Sequence, residues 1–308
     1  MELVRGLHNL RPQHRGCAAT IGSFDGVHLG HQAVLAKLSD EGRARGLPVT
    51  LITFEPQPRE YFTPGSTPPR LTRFREKLEV LQSCPVDRVV CLRFSAALAA
   101  LTADEFIRQL LIDGLGVKYL VVGDDFRFGK NRAGDKALLQ QSAETHGYQL
   151  GTLEDFAMGG QRVSSTRVRE ALESGHLDTA GALLGRPYSM CGRVAHGDKR
   201  GRTIGFPTAN IFLHRASAPV SGVFAVQMLG IDTAPVAGVA NVGTRPTVDG
   251  SRALLEVHLF DFARDIYGQH VQVRFVKKLR EERKFDSFEH LKRQIQLDSG
   301  QARAFFSG

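Results

Sequence analysis

Gly22-Ser23-Phe24-Asp25-Gly26-Val27-His28-Leu29-Gly30-His31 joins an apolar run, Cys17–Phe24, to a helical pattern that starts at His28 and continues to Arg45. A buried strand that feeds a helix through glycines is the opening step of a parallel α/β sheet. Glycine lets the backbone approach a phosphate closely. The helix start adds unpaired N–H groups and a partial positive charge, about 0.3–1 kcal/mol for each favourable anion contact. His28 and His31 are three apart, so they share one helix face. Imidazole donors there can hold a triphosphate and stabilise charge on a leaving pyrophosphate. The same pair can bind a metal, but no third ligand lies nearby in sequence, and zinc is not expected.

Working outward, Pro48–Phe54, Val86–Phe94 and Val117–Gly123 read as further strands, and Thr102 with Glu105 as a capping box that opens a helix. Strands alternating with helices predict a doubly wound parallel sheet, whose ligands sit at the carboxyl ends of the strands. The loops after Phe24, Phe54 and Gly123 are therefore the candidate sites. Gly123–Asn131 is not a P-loop: five residues separate Gly123 from Gly129, and Asn131 stands where Ser or Thr should follow the Lys. Helical patterns at Thr166–Glu173 and Asp178–Leu184 precede the break Gly185-Arg186-Pro187, which divides the chain into domains 1–185 and 186–308. In the second, Ser189–Ala195, Thr208–Leu213, Val223–Ile231, Val236–Val242, Leu254–Phe260 and His270–Val276 predict six short strands of an antiparallel barrel or sandwich. A last helix, capped by Asp286, carries the apolar stripe Phe288, Leu291 and Ile295.

Two domains suit 308 residues, and 42% hydrophobic against 23% charged residues exclude wholesale disorder. Met1–His8 has no apolar core, so no secretory signal is expected, and no stretch is long enough to span a bilayer. Cys17, Cys84, Cys91 and Cys191 form no C-x-x-C pair, which points to a reducing, cytoplasmic location. The net charge of +8 is uneven: residues 186–308 hold 18 basic and 11 acidic side chains, and 186–215 alone hold six and one. Such a cluster suits nucleic acid or polyphosphate equally. No zinc finger or basic heptad segment supports nucleic acid, and the cluster leads into a candidate nucleotide-phosphate site, so nucleic acid is not an expected partner.

That site is Gly201-Arg202-Thr203-Ile204-Gly205-Phe206-Pro207-Thr208-Ala209-Asn210. Strand alternation puts Thr208 and Asn210 on one face, and their oxygens suit Mg²⁺, which takes its other ligands from water and substrate phosphates. Gly201 and Arg202 suit a loop over a nucleotide. Glu256 lies inside the apolar run Leu254–Phe260, where an isolated carboxylate costs several kcal/mol. It is either the partner of an arginine or a general base.

The decapeptide from Gly22 resembles the H-x-G-H signature of the nucleotidyltransferase superfamily, in the form of its FAD synthetase branch. Ser164-Ser165-Thr166-Arg167-Val168-Arg169 is similar to that branch's S-S-T-x-x-R helix start, and Gly123–Gly129 to its G-x-[ND]-F-x-F-G loop. The second half resembles the riboflavin kinase family through G-R-x-x-G-F-P-T-A-N, Asn241–Thr247, the strand bearing Glu256, and Leu279–Phe285. The resemblance implies a Rossmann-like nucleotidyltransferase domain followed by an all-β six-stranded barrel with a C-terminal helix. It implies catalysis by His28, His31 and Glu256. ATP would be bound by Gly22, Phe24, Asp25, His28, His31, Ser164, Ser165, Thr166 and Arg169 in one site, and by Gly201, Arg202, Thr208 and Asn210 in the other. Asp125, Phe126 and Arg280 would bind flavin, and Thr208 and Asn210 would hold Mg²⁺.

The implied chemistry phosphorylates riboflavin with ATP to FMN, then adenylylates FMN to FAD and pyrophosphate. The rival reading is a nucleotidyltransferase for another phosphorylated acceptor, with a regulatory β-domain. Thr208, Asn210 and Glu256 argue against it. No membrane partner is expected, and both a monomer and a transient oligomer fit the sequence.

Overall fold

The computed structural model describes residues 1–152, 156–195, 206–247 and 250–307, with 245–247 and 250–252 described as backbone alone. The chain packs as two compact units. One comprises Met1–Thr67 with Lys77–Val163, the other Pro68–Glu76 with Ser164–Gly308.

The first unit holds β1 (Glu2–Arg5), β2 (Ala18–Ile21), α1 (Leu29–Arg45), β3 (Val49–Glu55) and α2 (Pro58–Phe62). It continues through α3 (Phe74–Leu81, counted here from Lys77), β4 (Arg88–Arg93), α4 (Ala96–Ala100), α5 (Ala103–Phe106), β5 (Tyr119–Val121), α6 (Lys136–His146) and β6 (Gln149–Gly151). A hairpin, β7 (Ala157–Met158) and β8 (Gln161–Arg162), ends it. The sheet order is β1-β4-β3-β2-β5-β6, and every pair is parallel.

Both faces of this sheet are covered, which is why its central strands are nearly continuous apolar runs. Ala19, Ile21, Ile52 and Phe54 feed one core; Ala18, Val49 and Leu51 feed the other with Leu35 and Leu38 of α1. Each fully buried leucine of this kind contributes about 1.5–3 kcal/mol. Successive strands run outward from β2 to one side and then resume at β5 on the other. The switch point between β2 and β5 is where an open α/β sheet forms its crevice. The Thr102 capping box forms as expected: Glu105 N–H donates to Thr102 Oγ1 at 3.2 Å, and Thr102 N–H donates to Glu105 Oε2 at 2.8 Å.

The second unit contains α7 (Ser165–Glu173), α8 (Leu177–Leu184), β9 (Ser189–Ala195), β10 (Ala209–Phe212), β11 (Gly222–Leu229), β12 (Val236–Thr247), β13 (Gly250–Leu259), β14 (His270–Arg280) and α9 (Phe288–Ser307). The six strands close as β10-β13-β12-β11-β14-β9, all antiparallel. Alternation sets the faces. Leu255, Val257, Phe224, Val226 and Phe275 are buried in the barrel. Glu256 and His258 alternate with the buried residues of β13 and lie on its outer face. On the barrel's outside, Val223, Ala225 and Val239 pack with Ala302 of α9.

Two details of this unit depart from the sequence reading or extend it. The cap of α9 is Ser287, not Asp286: its Oγ accepts from His290 N–H at 3.2 Å and its carbonyl from Leu291 N–H at 3.1 Å. With the helix starting at Phe288, Asp286 lies one residue too early to reach the third turn amide. Arg215, counted in the basic cluster, is buried against Glu76, donating from Nη2 to both carboxylate oxygens at 3.0 and 2.8 Å. Glu76 also accepts from Cys191 N–H at 2.8 Å, which fastens the 68–76 segment to the barrel.

Candidate active sites

The loop from Gly22 to His28 lies at the carboxyl end of β2, beside the switch point. His28 caps α1, with Nδ1 accepting from His31 N–H at 3.3 Å. With Nδ1 as acceptor, the ring proton of His28 is carried on Nε2. The two rings stack at 3.7 Å and 18°, and Phe24 lies 4.6 Å from His31 on a tilt of 32°. Asp25 and His28 are buried. His31 Nδ1 is buried without a hydrogen-bond partner among the described residues. Burial first, then the neighbouring His28, Lys77 and Arg162, hold the His31 imidazole well below its usual range, so it stands neutral.

Close approach explains Gly30 between the histidines. A Cβ there would meet His28 Nδ1 and the Val163 carbonyl oxygen, each at 3.1 Å. The loop itself is strained, with Phe24 at φ 46° and Val27 at φ 43°, positions that a phenylalanine and a β-branched residue rarely adopt.

Along the same sheet edge stands a group of aromatics drawn from separate segments. Phe94 lies 5.9 Å from Phe54, 5.3 Å from Tyr61 and 5.5 Å from Phe62. Phe126 stacks on Phe128 at 5.5 Å in the loop after β5. Phe62 is 61% exposed, unusual for its type. Asp125 is exposed, with Arg162 Nη2 at 3.9 Å. The sequence reading named Asp125 and Phe126 and did not name Tyr61, Phe62 or Phe94. Their signal is only a Tyr-Phe pair two turns after a strand.

Ser164, Ser165, Thr166 and Arg169 open α7 and count with the second unit. Ser164 Oγ accepts from Arg167 N–H at 3.3 Å, the cap expected of this serine. Arg169 Nε donates to the Pro69 carbonyl at 2.8 Å.

On the barrel, cross-strand register puts Asn210 opposite Glu256, and Glu256 opposite Asn241. Directly opposed residues share a face, so three oxygen-bearing side chains form one row. Glu256 and Asn241 open into a cavity of about 280 Å³ between the barrel's outer face and α9, with Thr208 at its edge. The α9 stripe Phe288, Leu291 and Ile295 lines it, together with Phe206 and Phe285. A second cavity of about 180 Å³ lies against Pro207, Ala209, Val257, Leu259 and Tyr267, and Thr208 lines both. His258 Nδ1 bonds to the Pro207 carbonyl at 2.9 Å, which makes Nδ1 the protonated nitrogen and fixes the segment before Thr208.

Arg280 reaches the larger cavity but is held by Asp298, from Nε at 2.9 Å and Nη2 at 2.7 Å. Gly243 admits the Glu282 carboxylate, which would stand 2.3 Å from an added Cβ. Asn241 was read only as part of the Asn241–Thr247 motif and His258 not at all, because register and a loop contact single them out. Gly201 and Arg202 lie outside the described residues.

A switch-point site with stacked histidines in one unit, and an antiparallel barrel with a carboxylate at an apolar cavity in the other, define a two-site transferase. Comparison with known families agrees. Residues 10–167 match the FAD synthetase family and residues 184–306 the riboflavin kinase family. The chain is 54% identical over 307 residues to the bifunctional riboflavin kinase/FMN adenylyltransferase of Escherichia coli K12, covering 99% of this chain and 98% of that one. It is 50% identical to the Haemophilus influenzae protein of the same name, with 100% of both chains covered. The chain belongs to the family of bifunctional riboflavin kinases/FMN adenylyltransferases, transferases that use ATP as co-substrate.

A solved structure from Streptococcus pneumoniae, described as a macrolide-efflux protein, superposes with a TM-score of 0.81 at 32% identity, covering 98% of this chain and 99% of that one. Among the described residues no helix is long and apolar enough to cross a membrane.

Proposed function

We propose that the family's two reactions are divided between the two sites, with chemistry set by the nucleophile each must use. In the barrel, riboflavin enters the 280 Å³ cavity, its ring system against Phe206, Phe285 and the α9 stripe. The terminal ribityl hydroxyl is a poor nucleophile, and Glu256 takes its proton as the oxygen attacks the γ-phosphorus of ATP. ATP occupies the adjoining cavity, so the reacting phosphate passes Thr208, the residue common to both. Thr208 and Asn210 offer only hard oxygen donors beside Glu256, a set that fits Mg²⁺. When bound, Mg²⁺ would neutralise phosphate charge; Asn241 and Asn210 flank the base and orient it. Gly201 and Arg202 are assigned to ATP on the motif alone.

In the first unit the nucleophile is the FMN phosphate, already an anion, and no general base is required. The α1 N-terminus, His28 Nε2 and neutral His31 hold the triphosphate while the FMN oxygen attacks the α-phosphorus and pyrophosphate leaves. Gly22, Phe24 and Asp25 shape this loop. Ser164, Ser165, Thr166 and Arg169, given to ATP by the motif, stand at the start of α7. The exposed aromatics around Phe62 and the loop of Asp125 and Phe126 suit the flavin ring of the acceptor. Four cysteine thiols without disulfides agree with a cytoplasmic location.

The observation that carries this division is the row Asn210–Glu256–Asn241 at an apolar cavity, a base placed where a neutral hydroxyl must be activated. Glu256→Gln, assayed by chromatography of flavin products, tests it. FMN formation from riboflavin is lost while FAD formation from supplied FMN persists. Equal loss of both with the fold intact contradicts the division.

A further inference from the structure

Lys77 is among the largest fully buried side chains of the described residues. A lysine out of water is costly unless its ammonium is paired, and nothing in the reactions above uses it. Its Nζ donates to the carbonyl oxygen of Ser23, inside the loop that leads to the histidine pair. That loop holds three left-handed residues within four positions: Phe24 at φ 46°, Gly26 at φ 83° and Val27 at φ 43°. Strained backbone of this kind persists only where its surroundings over-determine it. Val27 N–H donates to the Phe24 carbonyl and Gln32 Nε2 to the Val27 carbonyl, both contacts within the loop and its own helix. Lys77 braces the loop from another element, α3.

We infer that Lys77 is a positioning residue for adenylyl transfer, fixing the strained loop through Ser23 and setting a buried positive charge beside the triphosphate site. The inference rests on reading this loop as that site. The charge has a second consequence. Lys77 acts with His28 from the α1 cap and Arg162 from β8 against protonation of His31, adding to the effect of burial.

The test uses the full chain with Lys77→Met and Lys77→Gln, assayed for both reactions. Lys77→Met lowers kcat/KM for ATP in FAD formation from FMN by about 10- to 100-fold, as expected when reacting groups are slightly misplaced. The riboflavin kinase rate stays within about twofold and certifies the fold. Lys77→Gln keeps a donor for Ser23 and regains part of the loss. NMR titration of the His31 imidazole moves upward in both variants, as loss of the Lys77 charge requires.

Wild-type FAD kinetics in Lys77→Met overturns the inference, and so does a His31 titration that stays in place. Should the variants fail to fold, the ¹⁵N signal of Lys77 Nζ in the wild type decides. It moves on saturation with α,β-methylene ATP, and a signal that stays still overturns the inference. His31→Ala run in parallel separates the two readings: if it forms FAD normally, the site assignment itself fails, whatever Lys77 does.

Discussion

The two units hold the groups proposed for phosphate transfer in opposite ways. In the first, the groups assigned to transfer sit on a strained loop at a helix start, and the proposed chemistry is charge stabilisation by imidazoles and backbone N–H groups. In the second, they sit on the regular ladder of a barrel, where register alone aligns Asn210, Glu256 and Asn241. The contrast follows from the nucleophiles. A phosphate oxygen needs only its partner's leaving group stabilised, whereas a ribityl hydroxyl needs a base. A loop can wrap a polyphosphate, and a strand can hold a single carboxylate at a fixed depth beside an apolar cavity.

The strongest way to break this contrast is Glu256→Gln, for which riboflavin phosphorylation falls by about 10²–10⁴-fold, the range of a general base. His31→Ala comes next: FAD formation falls by about 10²-fold or more and FMN accumulates from riboflavin, as read in product ratios. Arg280→Met leaves the buried Asp298 carboxylate without its main partner. It destabilises the barrel by roughly 3 kcal/mol in urea unfolding and raises KM for riboflavin. Phe62→Ala removes an exposed ring, so the melting temperature holds while KM for FMN rises about fivefold, the worth of roughly 1 kcal/mol of stacking.

The smallest effect is on acid stability. The His31 pKa is lowered from 6.5, so below that pH the unfolded chain binds more protons there than the folded one. Stability is lost as pH falls from 6.5 toward the folded value. Melting temperatures taken between pH 7 and pH 5 fall less steeply in His31→Asn.

Local signals were read well from sequence because local physics makes them. The Thr102–Glu105 box and the strand Ser189–Ala195 formed as expected, and the α1 helix starts at the histidine that opened its pattern. What escaped depends on partners distant in the chain. Asn241 gains meaning only through its register with Glu256. Phe62 and Phe94 are 32 positions apart and meet because β3 and β4 are neighbours in the sheet.

Charge misled where burial intervened. Arg215 looked like part of a phosphate-binding cluster but neutralises Glu76, and Lys77, which the sequence reading did not single out, is wholly buried. Asp286 and Ser287 are both good caps, and the choice between them turns on one residue of helix start.

The central claim, one reaction to each unit, is tested most directly by mixing two inactive proteins. Glu256→Gln and His31→Ala, each unable to make FAD from riboflavin, are combined with riboflavin, ATP and Mg²⁺, and the flavins are separated over time. The account predicts that FMN made by the His31→Ala chain is adenylylated by the Glu256→Gln chain, so FAD appears after a lag. A mixture of folded variants that yields no FAD would contradict it.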